Sequence, residues 1–454
     1  MAAAIDHVSG DSRRGARPVR WTLHHLLSFE SLFVLFLYSN EIKVLLPTMP
    51  VDETVLFGTM SMGVGAWIIA RQGIHARGLV VVVMAFLFVA WALASYGWTP
   101  SRILIKRQLA YLVVFNMWCV VGGALVIAGN RERTVRFLCL TLLLALFVAL
   151  SGLRLYLLYG DFRRLPIWGE LGFQRTYLNW GYTVADGAGV ALVVTLFSRF
   201  MSLKQLIAGG MLLACAIFVL VGGARGPMVG VVFAAMVALS VRPPQVGPGR
   251  IEVSVGQVVG AFLAVAAAAY VSWLIATGQT TTTLSRFVQL FDQAEGEDAV
   301  EGASRWLYWP AAIRFWLDAP WLGNGFASFS YLYHRGGEYP GGHPHNVVLQ
   351  ILAELGVVGL ILFGAFIWSA LRHASLRRLR EDPLMVCVLI YLATGMMNSM
   401  FAKELTGGRK LVFAMGLLAL RPATQALASR AHGRLGEPRS RRSAEPGTRP
   451  AAWC

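Results

Sequence analysis

Charge is what this sequence is short of. Asp, Glu, Lys and Arg make up 14% of its 454 residues, against about 25% in an ordinary soluble domain. The deficit is spread along the chain, because apolar runs recur from Leu26 to Leu420 with brief basic or Gly/Pro interruptions. With 56% hydrophobic residues and a mean hydropathy of +0.58, the composition excludes an ordinary cytosolic enzyme. Cysteine is scarce as well. Cys119, Cys139, Cys215 and Cys387 lie in apolar runs, where a free thiol behaves as a small hydrophobe, and Cys454 ends the chain. None falls in the long polar segment, so no structural disulfide is expected there. A cleavage signature of small residues is also missing after Arg13, Arg14, Arg17 and Arg20, so the first apolar run reads as an uncleaved span.

What charge there is amounts to a net +16. The arginines sit in short clusters between apolar runs rather than along one stripe, which argues against nucleic acid as a partner and for membrane orientation instead. A membrane helix needs about 20 mostly apolar residues. On that rule about twelve spans are expected, near 26–46, 54–70, 78–96, 107–128, 135–158, 182–199, 205–223, 227–241, 254–275, 346–371, 384–401 and 410–425. With both termini in the cytoplasm, the inside loops carry Arg71 and Arg77, then Arg131, Arg133 and Arg136, then Arg199 and Lys204, Arg242 and Arg250, and Arg372 to Arg380. Most acids, among them Asp52, Glu53, Glu170, Asp292 and Glu338, then fall outside.

The expected organisation is an all-α polytopic membrane protein. It has a cytoplasmic segment at 1–25, nine spans over 26–275, a large outward loop at 276–345 containing short helices, three more spans over 346–425 and a disordered cytoplasmic tail at 426–454. That tail is rich in Arg, Gly, Pro, Ala and Ser without an apolar period. The loop is too long to lack structure of its own, since structureless loops seldom exceed about 15 residues. Its middle, Ser304 to Leu317, reads as an amphipathic helix with Trp306, Trp309 and Trp316 at helical spacing. Tryptophan favours the membrane–water interface, so anchoring is the simplest role for these rings. Pro320, Gly323 and Gly325 then stop the helix in a tight turn.

The loop closes on Tyr339-Pro-Gly-Gly-His-Pro-His-Asn346. His345-Asn346, nine residues, then Gly356-Val-Val-Gly359 resembles the His-Asn-x9-Gly-x-x-Gly signature of the O-antigen ligase family. The stretch from Arg305 through Trp309 to Pro320-Trp-Leu-Gly-Asn-Gly325 is similar to the family's approach to that motif. Gly222-Gly-Ala-Arg225-Gly226 resembles its small-residue-Arg-Gly turn, with Ala224 where the family usually has Ser. The resemblance implies a C-type glycosyltransferase fold in the bacterial inner membrane with its site facing the periplasm. It also implies a reaction without metal or other cofactor. The implied donor is a glycan on undecaprenyl pyrophosphate, and the acceptor a hydroxyl of lipid A–core oligosaccharide.

Such chemistry needs a base and cations. His345 suits the first, with an ordinary pKa of about 6.5. Asn346 is a good N-cap for a helix starting at Val347, which sets His345 beside the positive end of that helix and disfavours imidazolium. An interfacial polar residue, or a second cap partner, is the plainer reading of His345. His343 is a candidate for orienting substrate or simply a turn residue. Arginine grips phosphate bidentately and keeps its charge. The candidates for donor pyrophosphate are Arg225, Arg305 and Arg286. Arg225 sits between long apolar runs, where snorkelling is the alternative, and Gly226 beside it would let a phosphate approach backbone amides. Arg314 reads as solvated or facing headgroups. The acids Asp292 to Glu301 lack metal-loop spacing and read as solvated. Glu354, inside an apolar span, must be paired or protonated. Lys403, Glu404, Arg409 and Lys410 form a short outer turn.

Two rivals share the lipid-linked donor: an O-antigen polymerase, for which Arg314 to Gly325 has the Arg-x10-Gly spacing, and a protein O-oligosaccharyltransferase. A transporter or flippase is the rival of another class. It would place its ionisable groups near the bilayer midplane, not in a long loop at one face.

Overall fold

The computed structural model describes residues 28–43, 50–159, 176–198, 202–221, 225–241, 245–247, 250–252, 299–401 and 404–421. Of Arg225 and Arg305 it describes the backbone alone. The described chain is all-helical apart from one hairpin, in which Gln245–Gly247 (β1) pairs antiparallel with Arg250–Glu252 (β2). The helices are Phe29–Leu37 (α1), Ser39–Ile42 (α2), Glu53–Gln72 (α3), Ala76–Ala94 (α4), Leu104–Ile127 (α5), Arg131–Tyr159 (α6), Thr176–Phe197 (α7), Leu203–Val221 (α8) and Arg225–Val241 (α9). Then come Ala299–Asp318 (α10), Ser328–Tyr333 (α11), Val347–Leu371 (α12), Leu376–Glu381 (α13), Pro383–Phe401 (α14) and Arg409–Leu417 (α15).

Eight of the described helices, α3 to α8, α12 and α14, are long and apolar enough to cross a membrane. The sequence led to an expectation of about twelve, and three of the differences have physical causes. The run at 26–46 is not one rod: it breaks at Tyr38, whose hydroxyl turns inward to Asp186 and Tyr391 at 3.0 and 2.7 Å. The run at 227–241 forms α9, but its apolar part, Gly226–Ala238, falls short of a full crossing. The described part of the run at 410–425 yields only the nine residues of α15, which starts on the buried charges of Arg409 and Lys410. The expected span at 254–275 lies outside the described residues, as does the expected tail at 426–454.

The centre of the bundle is α7. Its membrane-crossing window is 94% buried, whereas that of α8 is 28% buried and turns most of its apolar surface outward. Glycine makes this close fit. A Cβ on Gly187 or Gly189 would lie 2.2 Å from Ala145 or 2.5 Å from Ile390, so only a bare backbone can approach α6 and α14 there. Around it Phe33, Phe137, Tyr391 and Phe413 pack edge to face or tilted, the geometry the ring quadrupole favours.

Ion pairs and hydrogen bonds sort the connections onto two faces. On one, Arg131 grips Asp382 through both terminal nitrogens at 2.6 and 2.8 Å, Arg133 lies 3.7 Å from Glu30, and Arg378 donates to the carbonyl of Leu420. On the other, the connection between α4 and α5 meets the segment from Gly323 to Glu338, and the turn after α14 meets the first turn of α12.

Candidate active site

The motif glycines of α12 mark a break in that helix. Gly356 has φ +66°, a conformation costly for any residue with a Cβ, and a Cβ there would meet the carbonyl oxygen of Trp321 at 2.3 Å. The break frees main-chain groups, and the turn from Pro320 to Gly325 takes them up. Asn324 N and Gly325 N donate to the carbonyls of Ala353 and Glu354 at 3.1 and 2.8 Å. In return Val357 N and Val358 N donate to Pro320 and Trp321 at 2.9 and 3.2 Å. The Asn324 side chain adds a bond to Ala353 at 3.0 Å, and the indole of Trp91 reaches Leu355 at 3.1 Å. Gly359 follows from the same break: the bend drives Leu355 to within 2.4 Å of where its Cβ would be. The polar turn and the apolar span are thus one structural unit.

Glu354 fastens the next stretch. Its buried carboxylate accepts from Ala327 N at 3.1 Å and from the Gln350 amide at 3.3 Å, while Gln350 takes Leu405 N at 2.9 Å. Its partner is therefore loop backbone, together with a neighbour one turn away, rather than a residue of another span.

The helix expected at Ser304 to Leu317 is α10, longer at its start. Its tryptophans have a bonding role beside the expected anchoring. The Trp309 indole donates to the carbonyl of Pro344 at 2.9 Å and that of Trp316 to Pro320 at 3.3 Å, so both half-buried rings hold the loop together. Trp306's side chain is outside the described atoms. Arg314 is exposed, as its sequence context suggests.

Pinned at Pro344, the loop delivers His345 at φ +53°, a left-handed conformation that histidine tolerates better than most side chains. Asn346 caps α12, its Oδ1 accepting from Val348 N and Leu349 N at 3.0 and 3.1 Å. The buried ring of His343 lies 4.1 Å from that of His345, and Tyr308 stacks toward His345 at 6.3 Å. Burial, then the neighbouring Tyr333, raises the Tyr308 phenol above its ordinary pKa, so it stays protonated at neutral pH. His343, His345, Asn346 and Tyr308 form the candidate catalytic corner, the last unforeseen in the sequence.

Glu338 ties this corner down. Its carboxylate accepts from Arg102 N and Leu104 N at 2.6 Å each, from Ile103 N at 3.0 Å and from the Ser101 hydroxyl at 2.9 Å. Partial burial works against ionisation, but these amides hold the carboxyl below its usual range.

The candidate phosphate-binding arginines are less gathered. Arg225 opens α9 and Arg305 lies in α10, one turn before Trp309; Arg286 is outside the described residues. Gly226 has a packing role: its Cβ position lies 1.9 Å from the Tyr182 hydroxyl, so α9 starts directly on α7, and the space proposed for a phosphate is filled on that side.

The expected outer turn is deeper than its sequence suggests. Arg409 and Lys410 are buried; Lys403 is outside the described residues. Lys410 lies 3.2 Å from Asp186 and 3.4 Å from Glu41, donates to Thr183 at 3.3 Å, and sits 4.1 Å over the Tyr38 ring. Thr394 donates to Asp186 at 2.7 Å. This network was missed, although Asp186 and Glu41 inside apolar runs carried the signal, since ionisable residues in spans are rare and paired. A run of contacts therefore links the His345 cap, through Gln350, Leu405 and Lys410, to Thr183 and Tyr182, where Arg225's helix begins.

Comparison with known proteins places this geometry. Residues 210–364, which hold α10, the docked turn and the break in α12, match the family model described as O-Antigen ligase. A stretch of 83 residues is 36% identical to a protein of Rickettsia conorii (strain ATCC VR-613 / Malish 7) provisionally named a polysaccharide ligase, over 16% of this chain and 20% of that one. Another of 66 residues is 43% identical to a similarly named protein of Rickettsia felis (strain ATCC VR-1525 / URRWXCal2), over 12% and 16%. The matches span about a fifth or less of those relatives. The resemblance carried by His345 to Gly359 thus agrees with an O-antigen ligase domain at 210–364, in an all-helical, multi-pass membrane protein.

Proposed function

We propose that this chain is an O-antigen ligase of the bacterial inner membrane, with both termini cytoplasmic, the large loop at 276–345 periplasmic, and donor and acceptor as the resemblance implies. The observation that carries the reading is His345: one residue beyond a pinned proline, in a strained backbone conformation, beside a capped helix and stacked among aromatic rings. Strain held this firmly is typical of functional positions.

In the proposed reaction the acceptor hydroxyl gives its proton to His345 as its oxygen bonds to the anomeric carbon. The bond from that carbon to the pyrophosphate oxygen breaks, and undecaprenyl pyrophosphate leaves with the electron pair. Arg225, Arg305 and Arg286 balance the leaving group's charge without a metal ion. A positioned base of this kind is worth about 10²–10⁴ in rate.

The test is reconstitution with lipid-linked glycan and lipid A–core, read as a shifted ladder. His345→Ala should abolish the shift while the protein still inserts; unchanged transfer removes His345 as base. A ladder made from donor alone would identify a polymerase instead.

A further inference from the structure

The face that carries the loop also carries an unbalanced patch of positive charge. Arg102, Lys106 and Arg107 are all exposed at the outer end of α5. On the opposite face four arginines are paired, Arg131 with Asp382, Arg133 with Glu30, Arg136 with Glu132 and Arg377 with Glu381. Arg102, Lys106 and Arg107 have no carboxylate within ion-pair distance among the described residues; Arg107 only overlies the Tyr111 ring at 5.9 Å. Glu338, the nearest acid by connectivity, directs its carboxylate at the main-chain amides of residues 102–104.

Below the cations the same helix is apolar and uncovered. Tyr111, Val113 and Val114 are exposed along α5, and Ile103, the residue just before the helix and level with the cations, is 74% exposed. An apolar stripe on a membrane-crossing helix faces acyl chains, and cations at its head stand at headgroup depth.

We propose that Arg102, Lys106 and Arg107 seat the phosphate of an anionic phospholipid headgroup, whose acyl chains lie along the exposed stripe of α5. The seat is attached to the candidate active site through Glu338, so a lipid held there would brace the loop that carries His345. The assignment stands whether or not the ligase reading does, because it rests on charge and exposure alone. Each cation near an anionic surface contributes about fivefold in lipid affinity.

The test places a photo-crosslinking amino acid at position 103 of the full chain, in nanodiscs of equal phosphatidylglycerol and phosphatidylcholine. Adducts at 103 should be enriched at least about tenfold in phosphatidylglycerol, whereas a crosslinker at 114, deeper on the stripe, should report the bulk ratio. Replacing the three cations (R102Q, K106Q and R107Q) should abolish the enrichment. Adducts at 103 that follow the bulk ratio, in the otherwise unaltered protein, would overturn the proposal without relying on that triple variant. So would enrichment that survives the triple variant. Complete displacement of phosphatidylglycerol by added lipid A–core would assign the seat to the acceptor instead.

Discussion

The indole nitrogen of Trp309 lies 2.9 Å from the carbonyl oxygen of Pro344, the residue before His345. A single hydrogen bond from the loop helix thus fixes the point from which the candidate base projects. Trp309→Phe keeps most of the ring and loses that bond, worth about 0.5–1.5 kcal/mol. Glycan transfer should fall by up to about tenfold with membrane yield unchanged, as read on the product ladder.

Gly356→Ala tests the helix break. The new Cβ would have to enter a left-handed backbone and displace the Trp321 carbonyl, so a loss of about 2 kcal/mol or more is expected, the range for strain at a special backbone conformation. Gly364 on the same helix meets nothing within 4 Å, and Gly364→Ala should be neutral or stabilising. Thermal unfolding of the two purified variants in detergent makes the comparison.

The Glu338 tether should respond to pH with a definite sign. Its carboxyl titrates lower in the folded protein than when unfolded, because amides bind the ionised form. Its contribution is therefore fully present above the unfolded pKa of about 4.3 and disappears as pH falls through the lower folded value. Amide exchange over residues 334–342 should be flat from pH 5 to 8 once corrected for intrinsic rates. Glu338→Gln should raise exchange there throughout that pH range.

The buried network around Lys410 should be strongly non-additive. Lys410→Met strands Asp186 and Glu41 together and should be the most damaging change, by about 3–5 kcal/mol for an uncompensated buried charge. Asp186→Asn leaves Lys410 with Glu41 and should cost less. Adding Asp186→Asn to Lys410→Met should recover part of the loss, measured as folded yield and thermal midpoint.

Apolar runs gave away most of the spans, and the His345 to Gly359 motif the candidate catalytic corner. Other features were illegible for identifiable reasons. Tyr38 breaks the first run because of partners at 186 and 391, far along the chain, and local hydrophobicity carries no record of them. The bonds from Trp309 and Trp316 to loop carbonyls went unseen because composition cannot show where an indole N–H points. Gly226 suggested room for a ligand, but its Cβ side is filled by Tyr182 from another helix, a contact that local sequence does not record. Glu338 was one acid among many until its four donors were seen.

The break at Gly356 bears on how the protein is made. A helix leaving the translocon normally arrives in lipid with its main-chain bonds already closed. This one cannot close its own: Ala353, Glu354, Val357 and Val358 find their partners in a turn some thirty residues earlier in the chain. Membrane insertion of α12 and assembly of the loop ahead of it therefore reach completion together, and a chain whose loop has misfolded is left with a defective span that membrane quality control can recognise.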